Sequence, residues 1–153
     1  IGPPEGIAQT PELVEEYPLI ISDVHAYRLC NHSYYVGVPY LRELQPYPWV
    51  KINPATAKQY GIEDGDWIKV ESPHGWVKLV AKYFEGIAPE VLMTRRGWWQ
   101  GCEELGLPGY ECFDGGSDST VLYDSTIENF DPFHSAMAKQ TLVKISKLEG
   151  GDE

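Results

Sequence analysis

The stretch Ser22 to Ser33, SDVHAYRLCNHS, gathers side chains able to hold an anion. His25, Arg28 and His32 are the only basic groups before Arg42, and Ser22, Asn31 and Ser33 add short donors. A guanidinium binds phosphate through two parallel N–H donors, which makes Arg28 the natural grip in this stretch. Metal binding is a poorer fit, because His25 and His32 lie seven positions apart and no third ligand is nearby. A solvated loop leading into a helix accounts for the same residues. Further along, Arg95-Arg96-Gly97 could grip an anion at a strand end, although in so acidic a chain surface pairing with Glu103 and Glu104 is favoured. Asp114 to Thr120 is a turn of small residues that lets backbone approach a ligand closely, or is simply a turn. Lys139 is either a point charge beside a ligand or an ordinary solvated lysine.

Cys30, Cys102 and Cys112 form no metal-binding pattern, since none are paired at two-residue spacing. They read as free or buried thiols. A bridge between Cys102 and Cys112 across the Gly-rich loop would need an oxidising compartment.

These groups must be positioned by a strand-rich scaffold. Leu19 to Ile21 is a short apolar run that fits a buried strand, with the polar stretch beginning immediately after it. Loops that leave a fixed strand end are where ligands commonly bind. Tyr40 to Leu44 reads as a short helix closed by Pro46 and Pro48. Trp49 to Ile52 is β-prone. Asn53 offers an N-cap and Pro54 a first helical residue, and Gly61 is the left-handed stop, with Ile62 folding back. Trp67 to Ser72 and Trp76 to Tyr83 alternate apolar and polar across Pro73-His74-Gly75, which predicts a hairpin with Ile68, Val70, Val77, Leu79 and Ala81 inward. Val91 to Met93 reads as a more buried strand. Gln100 to Gly116 has five glycines and no periodicity, so it is expected to be a long surface loop. Thr141 to Ser146, with Val143 and Ile145 inward, closes the set. Six or seven strands with few short helices suit a closed barrel better than a sandwich.

The 153 residues fit one domain, and the 42% hydrophobic and 12% aromatic content is that of a folded protein. The 15 glycines and 12 prolines imply many turns and favour strands. A net charge of −11 argues against a nucleic-acid or anionic-membrane surface, which needs clustered Lys and Arg. One dinucleotide needs only a few local donors, so the charge does not argue against such a ligand. No apolar run reaches the roughly 18 residues of a membrane span, and no signal segment is visible. Residues 1–16 read as a linker or N-terminal extension, 17–148 as the domain and 149–153 as a tail.

The stretch INPATAKQYGIEDGDWIKVESPHG resembles the signature of the C-terminal domain of the molybdopterin oxidoreductases, the group of dimethyl sulfoxide reductases, nitrate reductases and formate dehydrogenases. NHSYYVGVPYLRELQPYP upstream, and RRGWW, STVLYD, DPF and AKQTLVKI downstream, extend the resemblance in family order over about Tyr17 to Leu148. It implies a six-stranded double-psi β-barrel whose loops at one end cap a molybdopterin guanine dinucleotide. It also implies cofactor contacts at Ser22, Asp23, His25, Arg28, His32, Ser33, Trp98, Asp118, Thr120 and Lys139.

Three departures from the family pattern bear on those contacts. Ser22-Asp23 stands where the family often has Gly-Arg, which moves the expected phosphate contact to Arg28. Arg96 stands where it usually has His, so only Gly97 and Trp98 carry over, and Trp98 is equally a core plug. Asp118 and Thr120 replace the two amides of an Asn-x-Asn pattern. An ionised Asp only accepts, whereas an amide also donates. Asp131-Pro132 matches a family turn.

The resemblance places the molybdenum or tungsten ligand and an iron-sulfur cluster in other domains, so this chain is expected to hold cofactor without catalysing turnover alone. Its expected partners are those domains and the dinucleotide. Two other readings remain. One is a pyruvoyl-type decarboxylase on the same barrel, which would cleave itself at Gly116-Ser117. The other is a protein-binding barrel without cofactor.

Overall fold

A computed structural model of the chain describes residues 10–23, 32–124, 126 and 140–149. Six strands close into a barrel: β1 (Leu19–Asp23), β2 (Trp49–Ile52), β3 (Trp67–Glu71), β4 (Trp76–Tyr83), β5 (Val91–Thr94) and β6 (Gln140–Lys147), in the order β1-β5-β2-β4-β3-β6. The fold is mainly β, as the sequence implied. The β1/β5 and β2/β4 pairs are parallel, while β1/β6, β2/β5, β3/β4 and β3/β6 are antiparallel. Parallel neighbours cannot be joined by a tight turn, so long connections must cross the barrel ends. Those connections carry the polar stretches.

Alternation in every strand points one set of side chains into the lumen. Leu19 and Ile21, Val50 and Ile52, Ile68 and Val70, Val77 and Leu79, Leu92, and Val143 and Ile145 form one apolar core, to which Ala57, Ile62 and Leu122 add. The β3/β4 hairpin forms as expected, with Lys69 opposite Lys78 on its outer side. The helix after β2, α2 (Pro54–Gln59), is capped by the Asn53 side chain, which accepts from Ala55 N–H at 2.9 Å. Gly61 has φ of 65° and Ile62 N–H returns to Ala57 C=O at 2.9 Å, the local signals of a helix stop.

Three expectations change. β1 does not end at Ile21 but runs through Ser22 and Asp23, because β5 and β6 flank it and continue the ladder. β5 is not buried on both faces: Leu92 and Thr94 are buried while Val91 and Met93 are half-buried, as in the other strands. The short helix α1 spans Pro39–Arg42 and so begins and ends slightly earlier than Tyr40 to Leu44.

Gln100 to Gly116 is largely exposed, but it is organised by a 3-10 turn at Glu103–Leu105 and a bridge between Cys102 and Leu107. Cys102 and Cys112 are free thiols, the first buried and the second exposed, and no disulfide joins them. Cys30 and Asp131-Pro132 lie outside the described residues. Among those described, no helix is long and apolar enough to cross a membrane.

Candidate functional site at one barrel mouth

The parallel pairing of β1 and β5 sets Asp23 opposite Thr94, so both strands deliver the chain to the same end of the barrel. Asp23 points inward by the alternation that buries Leu19 and Ile21, and it is only 8% exposed. Two residues past the end of β5, Arg96 donates from Nε to the Asp23 carboxylate. Arginines 95 and 96 therefore do not pair with Glu103 and Glu104 at the surface. Arg96 is committed to a buried carboxylate, and Arg95 is buried with its guanidinium over the Trp98 ring, 5.5 Å from the centroid.

Gly97 comes next, at φ of 83°, and a Cβ there would lie 2.6 Å from Ser33 N and 2.9 Å from His32 C. Glycine is required twice over, for its left-handed backbone and for the close passage of the His32-Ser33 segment. His32 itself has φ of 52° and Tyr35 φ of 72°, so this segment turns sharply as it passes. Gly97 N–H donates at 3.1 Å to Asp118 Oδ1, which also accepts from Thr120 N–H at 3.1 Å and Thr120 Oγ at 2.7 Å. Asp118 caps the 3-10 turn Ser119–Leu122 by those bonds. That turn is fastened in its turn to the β3/β4 hairpin, where Ser72 Oγ donates to Leu122 C=O at 2.8 Å.

Tyr123 completes the mouth. Burial first, and then the nearby Asp23 carboxylate, push its phenol well above the ordinary range, so it stays a neutral hydroxyl in water of any ordinary pH.

The structure thus brings together Asp23, His32, Ser33, Asp118 and Thr120 from three separate segments. Ser22 is in β1 rather than in a loop, and alternation turns it to the opposite face from Asp23, in register with Met93 and Gln140. Trp98 is 1% exposed and stands under the guanidinium of Arg42, 4.6 Å from its centroid, which is the core-plug role. His25, Arg28 and Lys139 lie outside the described residues.

Sequence reasoning weighed Arg96 as an anion grip but favoured surface pairing, and it passed over Tyr123 and Arg42 at this mouth. A signal for Arg96 existed, since Asp23 and Arg96 are two of the departures from the family pattern. In the structure the two are paired, an acid on β1 with a guanidinium after β5. Ser117, by contrast, is buried and its hydroxyl donates to Lys78 C=O at 2.9 Å, while Gly116 C=O accepts from Lys78 N–H at 2.8 Å. The Gly116-Ser117 bond is held as an added edge to β4.

Several buried donors at this end lack partners. Among the described residues, Arg95 Nη1 and Nη2, Trp98 Nε1 and Ser119 Oγ are buried without a hydrogen-bond partner. All can donate, and they sit on the two segments that the Gly97 to Asp118 bond ties together. A surplus of donors suits a ligand rich in acceptor oxygens. Among the described residues no group of three or more His, Cys, Asp or Glu could hold a metal ion.

Residues 19–138 match the family described as "Molydopterin dinucleotide binding domain". The chain belongs to that family. It is 34% identical to the dimethyl sulfoxide reductase DmsA of Haemophilus influenzae over 136 residues, 89% of this chain and 16% of that protein. It is 34% identical to the acetylene hydratase of Syntrophotalea acetylenica over 131 residues, 80% of this chain and 17% of the relative. With the dopamine dehydroxylase of Eggerthella lenta it shares 37% identity over 98 residues, 64% of this chain and 9% of that one. The solved acetylene hydratase from Pelobacter acetylenicus superposes with a TM-score of 0.78 at 27% identity, covering 94% of this chain and 20% of the hydratase. The chain therefore spans 9–17% of the length of these curated relatives. It is homologous to a part of each.

Proposed function

We propose that this domain holds a molybdopterin guanine dinucleotide as part of a larger molybdenum or tungsten enzyme and does not catalyse turnover by itself. The observation that carries this reading is the convergence of His32-Ser33, Gly97 and Asp118-Thr120 on one barrel mouth, beside buried donors that lack acceptors. In a domain of this family, those acceptors are the phosphate, ribose and base or pterin oxygens of the dinucleotide.

In this reading His32, Ser33 and Thr120 line the entry, and Asp118 presents its second carboxylate oxygen, the first being saturated by Gly97 and Thr120. Ser22, Asp23, His25, Arg28, Trp98 and Lys139 complete the proposed contacts. Asp23 and Trp98 act through the guanidiniums they hold, and Arg28 and Lys139 supply charge to the phosphates. When bound, the cofactor supplies a metal centre for redox chemistry, or for hydration of the kind named for the acetylene hydratases. The metal ligand and any iron-sulfur cluster belong to other domains, which are the expected partners.

The test is a titration of the isotopically labelled chain with guanosine diphosphate followed by NMR. Shifts are expected at His32, Ser33, Gly97, Asp118 and Thr120. Shifts confined to the outer side of the β3/β4 hairpin would overturn the reading. An intact mass 153 residues long, without cleavage after Gly116, is expected of the same sample.

A further inference from the structure

We infer that Arg96, oriented by Asp23, is the fork that engages the diphosphate of the dinucleotide; this rests on the cofactor reading above. Asp23 is 6% exposed at its side chain and accepts from Arg96 Nε, whereas the Arg96 side chain is 33% exposed. Nε is thereby spent inward. No hydrogen bond from Nη1 or Nη2 of Arg96 occurs among the described residues. A guanidinium held by one edge has a fixed plane, and its remaining edge is the one that matches two oxygens of a phosphate.

Unsatisfied donors, not net charge, favour an anion at the mouth, since Asp23 and Asp118 balance Arg95 and Arg96. The Asp118 carboxylate already accepts three bonds from its own neighbours. Neither η nitrogen of Arg95 has a hydrogen-bond partner among the described residues. Buried donors left unsatisfied are costly, and acceptor oxygens brought to the adjoining residue relieve that cost. The Arg95 head lies over the Trp98 ring beside it.

Geometry explains why the acid sits on β1. Thr94 and Asp23 are register partners in a parallel pair, so a residue just past Thr94 overhangs the end of β1. A carboxylate there is placed to catch the guanidinium by Nε, which leaves the Nη edge on a side chain that is still partly exposed.

The experiment compares guanosine diphosphate with guanosine, which lacks phosphate, by calorimetry on the whole chain. The wild type should bind the diphosphate more tightly than the nucleoside by about tenfold or more, as for a charge-assisted contact. Asp23→Asn/Arg96→Gln removes both charges together and leaves two amides able to hydrogen-bond, so it avoids leaving a buried carboxylate alone. It should keep the affinity for guanosine and lose most of the preference for the diphosphate. Arg96→Lys, which retains the charge and the partner but not the fork, should fall between the two.

A preference that survives in the double variant would overturn the role of Arg96. Equal binding of the two ligands by the wild type would also overturn it while leaving the cofactor reading standing, since guanosine still binds. Binding of neither ligand would overturn both together.

Discussion

Asp118 and Gly97 are joined by one hydrogen bond, Gly97 N–H to Asp118 Oδ1 at 3.1 Å, and through it the exit of β5 is fixed to the 3-10 turn on the far side of the mouth. The same oxygen accepts both the amide and the hydroxyl of Thr120. A residue expected to read the ligand is therefore first of all a clamp. The bond also holds Gly97 where the His32-Ser33 segment passes so close that a Cβ would lie 2.6 Å from Ser33 N.

Asp118→Ala should then destabilise the chain by about 2–4 kcal/mol, since it strips three donors of one acceptor and leaves the Gly97 N–H buried. Asp118→Asn keeps an oxygen in place and should cost about 1 kcal/mol or less by the same reasoning. Urea unfolding of both variants measures the difference. Equal losses in the two would show that the charge, and not the acceptor geometry, holds the clamp.

The barrel was legible where its signals are local. Ile68 and Val70, then Val77, Leu79 and Ala81, alternate because one face of a hairpin is buried. Asn53, Pro54 and Gly61 mark the helix between them by capping chemistry alone. The limits of β1 were not legible, because Ser22 and Asp23 look like the start of a loop until β5 and β6 are seen to extend past them. The Asp23 to Arg96 pair joins residues 73 apart, and a crossover connection, not a periodicity, brings them together. The site could be read one segment at a time from its resemblance to a family. Which segments touch, and which charges are already spent on one another, depends on the closure of the barrel.

Acid should weaken the outer seam of the barrel before its core. Glu71 is held below its ordinary value of 4.5, first by the Lys69 ammonium and then by Lys144. Asp66 is held below 3.8, first by Lys147 and then by Glu63 N–H. For Asp64, burial alone would raise the carboxyl, but Tyr83 N–H and Lys82 outweigh it and the net direction is also down.

Carboxylates depressed in the folded state add stability that is complete above their unfolded values and disappears as pH falls through the folded ones. The melting temperature should therefore be level from neutral pH down to about 5 and fall below about 4. Lys144 is raised first by Glu16 and then by Glu71, and Lys147 by Asp66, so their share would be lost only at strongly alkaline pH. Glu71→Gln combined with Asp66→Asn should make the acid limb shallower. An unchanged limb in that variant would assign the acid sensitivity to other groups.

Arg42 provides the last prediction, because it is charged, 1% exposed and far from any role that its place in a short helix suggested. Its Nε donates to Pro46 C=O at 3.0 Å, Nη1 to Val36 C=O at 3.3 Å and Gln100 C=O at 3.1 Å, and Nη2 to Pro108 C=O at 3.5 Å. Carbonyls from two loops distant in sequence are thus drawn to one guanidinium, whose face lies over Trp98. Both loops adjoin the mouth, one following His32-Ser33 and the other following Gly97-Trp98. A planar fork can span such a set, whereas an ammonium on a flexible stem can approach only part of it. Arg42→Met removes the donors but also the cost of burying a charge, so the net loss should be about 2–4 kcal/mol rather than the sum of its bonds. Arg42→Lys should recover little of that loss. The decisive measurement is amide exchange: residues 98–110 and 33–46 should lose protection together in both variants, while the strand amides of β3 and β4 keep theirs. Full recovery of protection in the lysine variant would mean that charge alone, without the fork, holds the loops in place.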